Sequence, residues 1–167
     1  MEYRVGTGVD AHALVSGVPL VLGGVPIDHP RGLAGHYDGD VIAHALIDAL
    51  LGAANLGDIG TLFPSGDERW RGASSLDLLR VAYEAVREAG WELVNADCVL
   101  VGEEPRVGPY RTAMGEALAA ALDVDSSRVA VRATTTDGLG FTGRGEGLAA
   151  QAVALIRQGD QPVAYRD

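Results

Sequence analysis

Asp10 and His12 stand two apart in Gly8-Val9-Asp10-Ala11-His12, inside a stretch that alternates like a β-strand, so both side chains project from one face. A carboxylate and an imidazole side by side are half of a transition-metal site. The best candidate to complete it is His44, in Asp38-Gly39-Asp40-Val41-Ile42-Ala43-His44, at the start of an apolar helical run. Three protein ligands leave the fourth tetrahedral position open, which separates a catalytic zinc from a closed structural one. All four histidines, His12, His29, His36 and His44, fall in this one window. Asp40 and Asp48 lie one helical turn before and after His44, where either orients its second ring nitrogen or serves as a cap or surface carboxylate.

A second group of chemistry-bearing residues runs from Thr134-Thr135-Thr136-Asp137-Gly138 through Gly140-Phe141-Thr142-Gly143-Arg144-Gly145-Glu146-Gly147. Threonine hydroxyls at a strand end, backbone N–H groups freed by glycine and the fixed cation of Arg144 suit an anion; tight turns use the same residues. Asp137 fits either a hard cation such as magnesium or a turn. A third feature, Gly102-Glu103-Glu104-Pro105-Arg106-Val107-Gly108, is a turn whose backbone groups can read the edge of a base.

The elements that must position these residues follow from periodicity and breakers. Strands are expected over 3 to 14, 91 to 101 and 128 to 134, with a hairpin over 19 to 27 around Gly23-Gly24. Helices are expected over 41 to 55, with Asp38 or Asp40 as its cap, from Ser74 or Ser75 to Gly90, over 110 to 122 and over 148 to 157. Residues 28 to 39, 58 to 72 and 135 to 147 read as loops, and 158 to 167 as a polar tail that frays. The order β, hairpin, α, α, β, α, β, α predicts an α/β or α+β fold, one mixed sheet with helices packed on it. Residues 1 to 157 are expected to form a single domain. The helices over 41 to 55 and 110 to 122 are rich in alanine and supply little apolar area, which points to oligomerisation for part of the burial.

Composition narrows the chemistry further. A formal charge of −10 and an isoelectric point near 4.7 repel nucleic acid and anionic membranes, so an anionic substrate must be held by metals, backbone N–H groups and single arginines. All 13 basic residues are arginine, which excludes Schiff-base amines and a P-loop lysine. The one cysteine, Cys98, sits in the apolar run Cys98-Val99-Leu100-Val101 and reads as a buried strand residue. A mean hydropathy of +0.12, no charged-then-apolar leader and no apolar run long enough to span a bilayer point to a cytoplasmic protein.

Taken together, Gly8-Val9-Asp10-Ala11-His12, the run Gly35-His36-Tyr37-Asp38-Gly39-Asp40-Val41-Ile42-Ala43-His44, Leu56-Gly57-Asp58-Ile59-Gly60 with Phe63-Pro64, and the stretch 133 to 147 resemble the 2-C-methyl-D-erythritol 2,4-cyclodiphosphate synthase family. The resemblance runs in order from about residue 3 to 157. It implies closure of 4-diphosphocytidyl-2-C-methyl-D-erythritol 2-phosphate to the cyclic diphosphate with release of CMP, in non-mevalonate isoprenoid biosynthesis. It also implies a homotrimer around a threefold axis with active sites between subunits. By the same resemblance, zinc sits on Asp10, His12 and His44, and magnesium or manganese near Asp137 bridges the diphosphate. His36 and Thr135 stabilise the transition state, Asp58 and Gly60 hold the erythritol hydroxyls, and Phe63 to Asp67 line the pocket. Gly102, Pro105, Arg106 and Thr134 surround the cytidine, while Phe141 and Arg144 face the axis. Three positions depart from the family pattern: Tyr37 where serine is usual beside His36, Asp137 where glutamate is usual, and Arg106 where lysine is usual. Two other readings share these residues: a zinc phosphohydrolase that activates water, and a trimer that binds a nucleotide or isoprenoid diphosphate without turnover.

Overall fold

A computed structural model describes residues 1–160. Its main sheet holds β1 (Tyr3–Ser16), β4 (Arg31–Leu33), β5 (Trp91–Val101), β6 (Val129–Thr134) and β7 (Gly147–Gln158), in the order β4-β1-β7-β5-β6. β5 and β6 run parallel and every other pair is antiparallel, so the sheet is mixed as expected. A small hairpin of β2 (Leu20–Leu22) and β3 (Val25–Ile27) stands apart, turning through Gly23 and Gly24 at φ 56° and 75°. That left-handed pair is the two-residue turn whose twist matches a hairpin.

The helices α1 (Val41–Ala53), α3 (Ser75–Glu88) and α4 (Arg111–Leu122) cover the inner side of the sheet, and α2 (Ile59–Leu62) and α5 (Gly140–Gly143) are single turns. α1 is the central one, with all but Asp48 and Gly52 buried. It lies directly on β1 because Gly6 and Gly8 carry no side chain. A Cβ at Gly8 would stand 1.9 Å from the Ala45 carbonyl oxygen, and one at Gly6 2.0 Å from that of Ala49.

Asp40 fixes the other end of α1. Its fully buried carboxylate caps the helix by accepting from the Ala43 N–H at 3.1 Å, and it also accepts from Gly23 N at 2.9 Å and Gly24 N at 2.7 Å. Burial pushes this carboxyl up to about 6, against three N–H bonds that favour its ionised form. One side chain thus pins the hairpin turn to the helix start.

The expected helix over 148 to 157 is instead β7, the central strand of the sheet. Leu148, Ala150, Ala152, Ala154 and Ile156 are buried while Gln151 and Val153 are exposed, a period of two rather than 3.6. Alanine, leucine and glutamine are good helix formers, but pairing on both sides to β1 and β5 overrides that weak preference. The expected loop over 28 to 39 contains β4, that over 58 to 72 contains α2 and a 3-10 turn at Glu68–Trp70, and that over 135 to 147 contains α5. Of the expected polar tail, Gln158 ends β7, and 161 to 167 lie outside the described residues. No helix among the described residues is long and apolar enough to cross a membrane.

Because Asp10 follows Gly8 by one pleat, the β1–α1 approach also sets the distance from Asp10 to His44. Gly8→Ala is expected to destabilise the protein by about 3 kcal/mol through overpacking and to weaken zinc uptake. Urea denaturation and a zinc titration of the same variant check both effects.

Candidate active site

Asp10 and His12 leave the inner face of β1, and His44 meets them from the second turn of α1. Asp10 Oδ2 lies 2.8 Å from His12 Nε2 and 3.1 Å from His44 Nδ1, and the two ring nitrogens are 3.3 Å apart. The edge of a zinc tetrahedron with bonds of about 2.0 Å is roughly 3.3 Å, so these three atoms fit one divalent ion with little movement. They are the three-ligand cluster the spacing predicts. The backbone also makes room for the rings: a Cβ at Gly35 would stand 2.7 Å from His12 Nδ1.

The partner of the second His44 nitrogen differs from both expected carboxylates. His44 Nε2 meets Ser75 Oγ at 2.8 Å. Asp40 is engaged in capping, and Asp48 accepts from Ile59 N at 2.8 Å, which ties α2 to α1. Ser75 opens α3 from a remote part of the chain. A serine after a breaker reads as a cap, and no signal in the sequence links it to a histidine 31 residues earlier.

Partial burial alone would raise the Asp10 carboxyl, but the His12 and His44 imidazoles within hydrogen-bonding distance outweigh it and hold the group at about 2. The reciprocal bond from Asp10 raises the His12 imidazole above its ordinary 6.5, against the lowering effect of burial. In metal-free protein, Asp10 therefore contributes stability above its unfolded value near 3.8, lost as pH falls through about 2. The His12 contribution is complete below 6.5 and is lost as pH rises through the elevated folded value.

Two adjoining clefts open beside the triad. One, of about 360 Å³, is bounded by His36, Tyr37, Asp67, Trp70 and Arg71. The other, of about 310 Å³, shares His36 and Tyr37 and adds Gly60 and Phe63. Asp58 is exposed at their margin, capping α2 through Thr61 N and Thr61 Oγ1, each at 2.8 Å. Tyr37, with φ 63°, donates its hydroxyl to the Phe63 carbonyl at 2.6 Å and sets its ring edge-on to His44. Tyr37 is thus a tether between the loop 35–40 and the segment after α2.

A third cleft, of about 210 Å³, gathers Gly102, Pro105, Arg106, Thr134 and Thr135 where β5 and β6 end side by side. Asp137, at φ 52°, faces Thr135 Oγ1 at 3.2 Å. Glu103 reaches across to accept from Thr136 N at 3.3 Å, so its carboxylate already engages one N–H of the expected anion loop. Phe141 and Arg144 line none of these three clefts; Arg144 pairs with Glu146 at 2.9 Å and Phe141 is exposed.

The triad and the threonine cluster do not meet within the chain. Ala11, Ala149, Val101 and Thr134 form one row across β1, β7, β5 and β6. Three strand spacings of about 4.8 Å make that row roughly 14 Å long. Ala11 and Thr134 share the outer face, whereas Asp10 and His12 point inward.

Fold and site together define a class: a mixed sheet backed by helices, with three residues that could hold a metal ion at the junction of a strand and its covering helix. The YgbB family matches residues 3–157. The 2-C-methyl-D-erythritol 2,4-cyclodiphosphate synthase of Moorella thermoacetica is 59% identical over 153 residues, covering 92% of this chain and 94% of that one. Among solved structures, the bifunctional IspDF from Campylobacter jejuni superposes with a TM-score of 0.92 at 45% identity, covering 95% of this chain; the chain spans 43% of that longer protein. A CDP-bound 2C-methyl-D-erythritol-2,4-cyclodiphosphate synthase superposes with a TM-score of 0.85 at 41% identity, covering 92% of this chain and all of that one. The chain belongs to the YgbB family and is an enzyme of the cyclodiphosphate synthase type.

Because zinc must displace the proton that Asp10 helps to hold on His12, the gain in melting temperature on adding zinc is expected to be larger at about pH 8 than at about pH 6. Thermal melts of metal-stripped and zinc-loaded protein at the two values measure it.

Proposed function

We propose that this chain converts 4-diphosphocytidyl-2-C-methyl-D-erythritol 2-phosphate to the cyclic 2,4-diphosphate and CMP, with residues 1 to 157 as one catalytic domain acting in the cytoplasm. The observation that carries the reading is the open Asp10, His12 and His44 site bordered by the His36 clefts. In the reaction an oxygen of the 2-phosphate attacks the β-phosphorus. The bond from that phosphorus to the bridging oxygen breaks, and CMP leaves with the electron pair. Zinc on the triad, with magnesium or manganese near Asp137, would supply charge neutralisation on the diphosphate.

The chain's own residues then position and stabilise. His36, on the loop beside the triad, and Thr135, at the end of β6, are the donors for charge that builds on the phosphoryl oxygens. Asp58 and Gly60 hold the erythritol hydroxyls, with Phe63, Asp67 and Tyr37 lining that part of the site. Gly102, Pro105, Arg106 and Thr134 form the cytidine cleft. No protein nucleophile is required, in keeping with a chain that has no lysine and whose buried Cys98 thiol is pushed up to about 12.

The active form is a homotrimer with each site between two subunits, Phe141 and Arg144 facing the threefold axis. Two observations support it. The triad and Thr134 lie on opposite faces of one sheet, too far apart for a single diphosphate to join. The outer face of that sheet also leaves Val5 and Val9 each 67% exposed and Val153 40% exposed, an apolar surface suited to a second copy.

Phosphorus NMR of the protein with the cytidylyl substrate, zinc and magnesium is expected to show the cyclic diphosphate and CMP. A linear product with inorganic phosphate would mark a hydrolase instead, and binding with no turnover a non-catalytic trimer. His36→Ala is expected to lower kcat by about 10²–10³ while zinc content stays at the wild-type level, read by steady-state kinetics and metal analysis.

A further inference from the structure

Ser75 is completely buried, and its hydroxyl lies between a metal-ligand candidate and a carboxylate. On one side His44 Nε2 approaches Ser75 Oγ at 2.8 Å. On the other, Ser75 Oγ is hydrogen-bonded to Asp38 Oδ1. The same aspartate accepts from Ser75 N at 2.9 Å through Oδ2 and from Asp40 N at 3.0 Å through Oδ1. Ser74, the nominal cap of α3, makes no side-chain bond there, so Asp38 supplies the cap from 37 residues away.

The direction of this chain of bonds follows from the donor inventory. An ionised carboxylate only accepts, so the Ser75 hydroxyl proton points to Asp38. The serine oxygen is then left to accept, and it accepts from His44 Nε2. A neutral imidazole with its proton on Nε2 has its lone pair on Nδ1. That is the atom 3.1 Å from Asp10 Oδ2 and 3.3 Å from His12 Nε2. Two lone-pair atoms facing each other at that distance are a poor contact with nothing between them and a good one around a cation.

We infer that Ser75 and Asp38 are positioning residues that lock His44 in the tautomer able to bind metal through Nδ1. The inference rests on the reading of Asp10, His12 and His44 as metal ligands. It gives Asp38 a role beyond capping: the loop that carries His36 and Tyr37 is tied through Asp38 and Ser75 to the metal ligand itself, so loop position and metal geometry are set together.

The consequences differ from those of an ordinary buried hydrogen bond. In Ser75→Ala the Nε2 proton has no acceptor, and the ring is free to turn or change tautomer. In Asp38→Asn, the amide orientation that keeps the Ser75 N–H bond aims an N–H at Ser75 Oγ. The serine proton then goes to His44 Nε2, and the imidazole proton moves to Nδ1, where it blocks the metal.

The test titrates metal-stripped wild type, Ser75→Ala and Asp38→Asn with zinc against a chromophoric chelator, at a temperature where circular dichroism shows all three folded. Zinc affinity is expected to fall by about 10- to 100-fold in both variants. Equal affinity in all three overturns the positioning role and leaves the ligand set standing. Failure of wild type itself to take up zinc overturns the ligand set, a different result. The tautomer is read independently from long-range nitrogen-15 NMR couplings of His44 in metal-free wild type at about pH 8, above the ordinary imidazole range. A proton on Nε2 is expected, and a proton on Nδ1 would overturn the inference whatever the affinities.

Discussion

The contact on which the rest depends is the seating of α1 against β1, backbone on backbone, through Gly6 and Gly8. Any side chain at Gly8 would meet the Ala45 carbonyl, and α1 offers Ala45, Ala49 and Ala53 on the matching stripe. Small residues on both surfaces trade apolar area for proximity. What that proximity accomplishes is chemical. Asp10 and His12 are short side chains, and His44 reaches them only because its helix lies flush on the strand two residues away. With larger residues the helix would ride higher and the triad would open beyond the span of one ion.

The loop 35–40 is held to this contact by two carboxylates with separate tasks. Asp40 turns inward and joins the hairpin turn at Gly23 and Gly24 to the start of α1. Asp38 turns toward α3 and caps it through Ser75. Just before them, Tyr37 anchors to the Phe63 carbonyl, so the loop is fixed at three points while His36 lines the cleft. A chain of formal charge −10 thus places several carboxylates close to a site for an anion. It engages them with backbone N–H groups, a serine or the histidine ligands, which limits their repulsion of a phosphate.

Local pattern carried the metal half of the site and failed where pairing partners decided the outcome. Asp10 and His12 were legible because a strand fixes which side chains share a face, and His44 because a glycine-aspartate cap announces a helix. The strand β7 was not legible, since Gly147–Gln158 is as helical in composition as α4 and only its two neighbours in the sheet settle its state. Ser75 was illegible for a related reason. A serine at the first turn of a helix has a sufficient local explanation, and its bond to His44 exists only once α3 packs beside α1. The threonine cluster and the turn over 102 to 108 were each visible as strings of residues, but their distance from the triad depends on strand order, which periodicity does not encode.

That strand order bears on assembly. With β7 and β5 between them, β1 and β6 cannot bring their C-terminal halves together, and the sheet's inner face is already filled by α1, α3 and α4. A ligand that used both the triad and the Thr134–Thr135 end would, on the proposed reading, span two chains. In the proposed trimer the exposed valines of the outer face supply the burial that alanine-rich helices do not, and the same packing joins the two half-sites. In that assembly stability and catalysis would draw on one interface: a subunit without its neighbour would lose the covering of Val5 and Val9 and, with it, the Thr134 side of its site. Arg132 and Asp97, paired at 2.9 Å on that outer face beside the threonine end, place a fixed charge pair near where the neighbouring chain would dock. An ion pair costs less to bury than either charge alone, so this pair would oppose such an approach less than a lone charge would.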